Sequence, residues 1–104
     1  MQPTQNAEID SSPAAVIIRP SKTTAVAVTL TVRELDLLSF LLAHPGRAFT
    51  RAQLIAEVWG WTFGDQSTVT VHVRRLREKI EDDPTSPTLI KTVWGVGYLL
   101  EASA

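Results

Sequence analysis

Large apolar residues alternate with smaller or polar residues between positions 25 and 30. Val26, Val28 and Leu30 show the period of two that is typical of a half-buried strand. The apolar run 16–18 supplies a second strand, and Pro20-Ser21-Lys22 marks a turn between the two. This part of the chain therefore predicts two or three short strands.

Two capping-box signatures, Thr31 with Glu34 and Thr50 with Gln53, mark the starts of the next two elements. Apolar residues then recur at helical spacing. The predicted core residues of these two helices are Leu35, Leu37, Leu38, Leu41 and Leu42, then Leu54, Ile55 and Val58. The first helix is expected to end at His44-Pro45-Gly46, where His44 caps backbone carbonyls, and the second near Trp59-Gly60.

A third helix is predicted over 67–81, between a loop at 60–66 and the stop signal Asp82-Asp83-Pro84. Asp65 or Ser67 is expected to cap its start. At ~100° per residue, its apolar residues fall within about 40° of Val69. The stripe that they form comprises Val69, Val73, Leu76 and Ile80. We expect this stripe to pack on the core.

The opposite face of the third helix is polar and cationic. Val71 and Arg75 lie near its pole, one turn apart. The flanking residues are Thr68, His72, Lys79 and Arg74, with Arg77 nearer the core, where its stem covers apolar surface and its head reaches out. Such a face suits a major groove, because arginine bonds guanine, valine meets the thymine methyl and flanking cations bind phosphates.

A simple solvated surface is the alternative interpretation of this cationic face. Two features favour DNA: Val71 has no solvation purpose at its centre, and a predicted hairpin follows directly, as a wing would. That hairpin, 89–100, turns at Trp94-Gly95-Val96-Gly97. The order hairpin, three helices, hairpin predicts an α+β winged helix-turn-helix domain over 14–104. The polar segment 1–13 is typical of a disordered tail or linker.

Charge and composition change this picture in part. The formal net charge of -1 counts against DNA, because nucleic-acid-binding domains are often basic. However, four basic residues and one acidic residue lie between Gln66 and Ile80, so the local field of one face is positive. The chain has no cysteine and two histidines, and we expect no metal, no cofactor and no catalytic residue. No apolar run approaches a membrane span of about 18 residues, and no signal peptide is visible, so we expect a cytoplasmic protein without membrane contact.

The stretches LTVRELDLLSFLLAHPGRAFTRAQLIAEVWG (30–60), STVTVHVRRLREKI (67–80) and IKTVWGVGYLL (90–100) resemble the effector domain of OmpR/PhoB response regulators. The resemblance implies a transcription factor that binds double-stranded promoter DNA, often as a head-to-tail pair. Carried over by position, Val71 and Arg75 face bases. Contacts to the DNA backbone are implied for Trp59, Thr68, His72, Arg74, Arg77, Thr92 and Tyr98. The loop with Trp61 and Phe63 corresponds to a segment that contacts RNA polymerase in some members.

Three residues depart from the family's pattern. Trp94 stands at the wing tip, where many members have an arginine for the minor groove. It packs on sugars or supports the hairpin, and we favour support. Ser67 replaces an arginine, and Thr70 replaces an aspartate. The family also carries a receiver domain before this module, so the chain is expected to be a receiver-less regulator or a fragment.

A winged-helix module that binds a protein partner is the alternative function. It would use the Trp61 and Phe63 loop or the third helix. The negative net charge and Trp94 favour it.

Overall fold

The computed structural model describes residues 13–20, 25–62 and 64–101, with side chains from Val28 onward. The predicted tail, up to residue 12, and the turn at Ser21-Lys22 lie outside the described residues, as does Phe63. Pro13, placed in the tail by sequence, already belongs to the first strand.

The observed elements follow the predicted order. Strand β1 (Pro13–Pro20) pairs antiparallel with β2 (Ala25–Thr31). Helix α1 (Val32–Ala43) and strand β3 (Phe49–Thr50) come next, and α2 begins as Arg51–Leu54 and continues as the π-helical segment Ile55–Trp59. Helix α3 (Ser67–Ile80) and the hairpin of β4 (Ile90–Val93) and β5 (Gly97–Leu100) complete the described part. The prediction of an α+β winged helix-turn-helix is confirmed.

Both predicted capping boxes are formed. The Thr31 hydroxyl accepts the Glu34 N–H at 3.3 Å, and the Glu34 carboxylate accepts the Thr31 N–H at 3.0 Å. Thr50 and Gln53 make the same pair of bonds at 3.0 and 2.8 Å. The predicted cap at His44 is also present, since its N–H donates to the Leu41 carbonyl and its Nδ1 lies 2.9 Å from the Phe40 carbonyl. The two helix starts are therefore determined locally.

The core stripe of α1 is rotated from the predicted one. Its buried residues are Glu34, Leu37, Leu38 and Leu41, whereas Leu42 is 55% exposed. The prediction that Leu42 faces the core is wrong, because adjacent residues of a helix point ~100° apart and Leu41 takes the inward position. The first residue of the buried stripe is Glu34, which is not apolar, so the spacing of apolar residues did not reveal this register.

Glu34 is compensated by a cation from α3. Lys79 Nζ lies 2.6 Å from Glu34 Oε1. Burial raises the pKa of the Glu34 carboxyl, but the bonds from Lys79 and Thr31 outweigh it, so the pKa is lowered. The prediction that Lys79 flanks the outer face is therefore wrong, because its ammonium turns toward a buried carboxylate.

The apolar stripe of α3 is confirmed, since Val69, Val73, Leu76 and Ile80 are all buried. The helix ends at Ile80, and Glu81 follows as its cap. The buried Glu81 carboxylate accepts the N–H groups of Thr88, Leu89 and Ile90 at 2.8–3.1 Å. Glu81 thereby anchors the loop that leads into β4.

Strand β3 extends the hairpin into a three-stranded sheet in the order β3-β5-β4. Phe49 pairs with Tyr98 and Thr50 with Gly97. A Cβ atom at Gly97 would overlap the Phe49 carbonyl, so the close pairing requires glycine there. The sheet joins the start of α2 to the wing hairpin.

Candidate nucleic-acid interface

The outer face of α3 is defined here as Thr70, Val71, Arg74 and Arg75. Arg74, Arg75 and Thr70 are exposed and Val71 is half-buried. Within the described part of the chain, neither guanidinium has a hydrogen-bond or ion-pair partner. The structure thus places Arg75 in solvent, beside the smaller apolar Val71, as the helical period predicts.

His72 does not lie on this outer face. It is 6% exposed, and its Nδ1 lies 2.8 Å from the Thr68 carbonyl one turn earlier. The ring packs edge-on against Trp59 at a centroid distance of 5.0 Å. The prediction of an exposed His72 is wrong, because the end of α2 covers this side of α3. Its contact with the DNA backbone stays a prediction.

Trp59 and Trp61 lie at the junction of α2 and α3. Trp59 is 7% exposed, and the Arg33 guanidinium carbon is 5.9 Å from its ring centroid. Trp61 is 38% exposed, and its backbone N–H donates to the Ile55 carbonyl at 3.2 Å. Gly60 has a φ of 72° and ends the π-helical segment between them. Thr68, near the start of α3, is half-buried.

Arg77 ties α3 to the wing. Its Nε and Nη2 donate to the Ile90 carbonyl at 3.1 and 2.9 Å, and Nη2 also donates to the Thr92 hydroxyl at 2.8 Å. The guanidinium lies over the Tyr98 ring, 5.6 Å from its centroid, and Tyr98 is buried. The prediction that the Arg77 head reaches outward is wrong. The planar guanidinium instead donates to two acceptors on β4, the Ile90 carbonyl and the Thr92 hydroxyl. Arg77 thereby holds α3 against β4, and its contact with the DNA backbone stays a prediction.

The wing tip, residues 94–96, is apolar and exposed. Trp94 is 89% exposed and Val96 is 46% exposed. Gly95 has a φ of 80°, and the Val96 N–H donates to the Val93 carbonyl at 2.9 Å, which closes the turn. The favoured support role of Trp94 is wrong, because a residue that is 89% exposed packs against very little of the hairpin.

A groove separates the wing tip from the N-terminal ends of α2 and α3. Its lining includes Thr50, Arg51, Gln66, Thr92, Trp94 and Tyr98. Arg51 is exposed, and its Nη1 donates to the Thr70 hydroxyl at 3.2 Å. Sequence reasoning missed Arg51. The signal that could have found it is its place at the first turn of α2, which a helix-turn-helix sets beside the start of α3.

The N-cap residue of α3 is Gln66, which makes no side-chain cap hydrogen bond, so the prediction that Asp65 or Ser67 is the cap is wrong, although Asp65 still binds the first N–H of the helix. Asp65 Oδ1 accepts the Ser67 N–H at 2.9 Å. This bond lowers the pKa of the Asp65 carboxyl. A carboxylate at this position also interacts favourably with the positive end of the helix dipole.

The described residues hold no group of three or more His, Cys, Asp or Glu side chains that could bind a metal ion. Over the same residues, no helix combines the length and apolar character needed to cross a bilayer.

A helix pair, an anchored third helix with exposed arginines, and a hairpin clamped beside it define a winged helix-turn-helix module. The family model for the C-terminal domain of transcriptional regulatory proteins matches residues 25–100. The chain belongs to this family, and its type is the OmpR/PhoB one that the sequence resembles.

Individual relatives agree with this assignment. The sensory transduction protein RegX3 of Mycobacterium leprae is 52% identical over 77 residues, which cover 73% of this chain and 39% of RegX3. The response regulator DrrB of Thermotoga maritima, an OmpR/PhoB homologue, is 36% identical with a TM-score of 0.67, over 73% of this chain and 35% of DrrB.

The DNA-binding domain of Klebsiella pneumoniae RstA, solved in complex with the RstA box, is 33% identical. Its TM-score is 0.65, and the match covers 86% of this chain and 94% of that domain. By contrast, the chain spans about two fifths of the length of RegX3.

Proposed function

We propose that this chain is the sequence-specific double-stranded DNA-binding module of a transcriptional regulator. The observation that carries the proposal is the split of the α3 cations: Arg77 and Lys79 are bonded to protein, whereas Arg74 and Arg75 are exposed together. Two exposed guanidinium groups on consecutive residues of α3 raise the local positive potential and present unused donors, which favours a bound anion or hydrogen-bond acceptors. DNA offers both, because its phosphates are anions and its base edges carry neutral acceptors such as guanine O6 and N7.

In this proposal α3 lies in the major groove. Arg75 donates two bonds to guanine O6 and N7, and Val71 contacts a thymine methyl group. Arg74 and Arg51 bind phosphates on the two sides of the groove and so fix the register of the helix without reading sequence. The RstA domain, which shares this fold, is seen with its own DNA box.

The remaining backbone contacts come from groups near the rim of α3 and from the wing. They are Trp59, Thr68, His72, Thr92 and Tyr98. Of these, Trp59, His72 and Tyr98 are largely buried, so only a small part of each ring is open to a phosphate. The Thr92 hydroxyl already accepts from Arg77, which leaves its own hydrogen for a phosphate oxygen.

Two further partners are proposed from the resemblance to the OmpR/PhoB family. A second copy of the chain binds head to tail on the adjacent half-site, and RNA polymerase contacts the loop that carries Trp61 and Phe63. The 38% exposure of Trp61 supports a contact at this loop, because an indole partly in water is typical of interaction surfaces.

Selection of bound duplexes from a random pool at near-physiological salt tests the proposal. We expect a recurring half-site. Affinity for that half-site should fall with salt at a log–log slope of about -0.9 for each phosphate contacted. If no sequence is enriched and the affinity for duplex DNA does not change with salt, the result would instead support a module that binds protein.

A further inference from the structure

Glu81 is a buried carboxylate that the proposed DNA contacts do not use. It is 2% exposed and follows the C-terminal end of α3, where the helix dipole opposes a negative charge. Within the part of the chain that the structure describes, no ion pair joins it to a lysine or an arginine. Neither the helix dipole nor a neighbouring cation therefore accounts for a charge at this position.

The Glu81 carboxylate binds the start of the wing. Its Oε1 accepts the Thr88 N–H at 2.9 Å, and its Oε2 accepts the Ile90 N–H at 2.8 Å. The Leu89 N–H lies between these two and donates to both oxygens at 3.1 Å. Burying a carboxylate is costly unless its oxygens are hydrogen-bonded, and the N–H groups that lead into β4 meet this requirement.

Arg77 holds the same part of β4 from its other side. The Glu81 N–H donates to the Arg77 carbonyl at 3.0 Å, so the two residues stand one helical turn apart. The Arg77 guanidinium donates to the Ile90 carbonyl at 2.9 Å, whereas the Glu81 carboxylate accepts the Ile90 N–H. One residue of the wing thus has both of its backbone polar groups bonded to side chains at the end of α3. We call Arg77, Glu81 and Ile90 the Ile90 clamp.

Two attachments give the wing a direction as well as a position. A strand that is held by hydrogen bonds on one side can rotate about them, and bonds on both sides of Ile90 remove this rotation. Thr92 lies two residues further along β4, and Tyr98 pairs with it across the hairpin. Both are proposed contacts to the DNA backbone, and a hydrogen bond weakens steeply once its heavy atoms are more than about 3.2 Å apart. Rotation at Ile90 would therefore weaken both contacts.

We propose that Glu81 is a positioning residue for DNA binding: with Arg77 it sets the direction of the wing relative to α3, so that helix and wing meet the DNA backbone together. This inference rests on the proposed function. It makes a prediction of unusual sign. Removing a negative charge from a DNA-binding domain ordinarily strengthens binding, whereas removing the charge of Glu81 should weaken it.

The test compares Glu81→Gln with Glu78→Gln on a duplex that carries the half-site recovered from the random pool. Each variant removes one negative charge near the C-terminal end of α3, but Glu78 is exposed and lies outside the Ile90 clamp. Glu78→Gln should bind at least as tightly as the parent. Glu81→Gln should bind about tenfold more weakly, because an amide nitrogen cannot accept an N–H, and the wing then loses its hydrogen bonds to phosphate.

Neutral methylphosphonate linkages, placed one at a time along the half-site, show which contacts are lost. They weaken binding of the parent wherever a phosphate is bound. The linkages at which Thr92→Val is insensitive are those that the wing binds. Glu81→Gln should be insensitive at the same linkages and keep the parent's sensitivity at those bound by Arg74. A smaller fraction of folded protein would instead lower the affinity for every duplex equally.

Glu81→Asp takes the place of Glu81→Gln if the amide variant does not fold. It keeps the charge and shortens the side chain by one methylene, so it should lose sensitivity at the same wing linkages. Thermal midpoints above the assay temperature establish that each variant measured is folded.

The outcomes separate the inference from the function on which it rests. If Glu81→Gln binds as tightly as Glu78→Gln, or if its loss is spread evenly over all linkages, the positioning role of Glu81 is overturned and the proposed function stands. Failure of the parent itself to bind any duplex would overturn the proposed function.

Discussion

The two faces of α3 carry similar numbers of cations and use them in opposite ways. Toward the protein, Arg77 bonds the β4 backbone and Lys79 bonds the buried Glu34. Toward solvent, Arg74 and Arg75 are exposed. The number of cations counted along this helix therefore overstates by about a factor of two the number of cationic side chains that are free to bond DNA. What distinguishes the two pairs is whether a long side chain finds an acceptor within the fold.

Removing apolar packing from the inner face should have the largest effect. Leu76 is fully buried in the α3 stripe, and Leu76→Ala should lower the free energy of unfolding by about 2–5 kcal/mol through lost burial and the cavity left behind. Urea unfolding followed by circular dichroism measures this. An unfolding midpoint equal to that of the parent would contradict the inward placement of this stripe.

Exposed arginines of the outer face should affect binding and leave folding unchanged. Arg75→Ala should cost about 1–3 kcal/mol on the selected half-site and little on random duplex, because a base contact is lost. The matched variant Arg74→Ala should weaken both duplexes alike and reduce the magnitude of the salt slope by about 0.9. Competition titrations at two salt concentrations measure both effects. A selective loss for Arg74→Ala would reverse the two roles.

The ion pair on the inner face should make stability depend on pH. The pKa of Glu34 is lowered in the fold, so the pair stabilises the chain above the carboxyl's ordinary pKa, and this stabilisation is lost as the pH falls through the lowered folded value. Glu34→Gln keeps the capping box, which glutamine also forms, and removes the charge. It should cost about 1 kcal/mol at neutral pH.

Thermal midpoints from pH 7 down to pH 3 provide the check on Glu34. The difference between the parent and Glu34→Gln should shrink toward acid. A difference that grows as the pH falls would show that the carboxylate destabilises the fold.

The smallest effect is expected at the wing tip. Trp94→Arg replaces an exposed apolar side chain by a cation at the wing tip, and we expect only a small net change in affinity. The log–log salt slope should steepen by about 0.9, and A·T-rich flanks should gain relative to G·C-rich flanks, because a narrow groove attracts arginine. Titration of the two flanked duplexes over a salt series measures this. An unchanged slope would place the tip away from DNA.

Sequence predicted best what depends on neighbouring residues. The capping boxes at Thr31 and Thr50 and the stripe from Val69 to Ile80 are local patterns, and the structure confirms them. Strand β3 was missed because two residues, Phe49 and Thr50, contain no detectable period. It exists only because β5 lies beside it, and that pairing is a tertiary event.

The errors at the candidate site have a shared physical cause. The periodicity of a helix gives the direction in which a side chain leaves the backbone, but it does not say where a long or aromatic side chain ends. Lys79 and Arg77 turn toward acceptors contributed by α1 and β4, and His72 is covered by Trp59 from α2. Arg75 and Arg74 follow the pattern because nothing in the described fold competes for them.

Guanine recognition by Arg75 is the central claim, and a thermodynamic cycle between protein and DNA tests it most directly. Each guanine of the selected half-site is replaced in turn by 7-deazaguanine, which lacks the N7 acceptor, and the affinities of the parent and Arg75→Ala are measured on every duplex. One replacement should weaken the parent and leave Arg75→Ala unaffected, because the bond to N7 is already absent in the variant. Equal losses in both proteins at every guanine would contradict the claim.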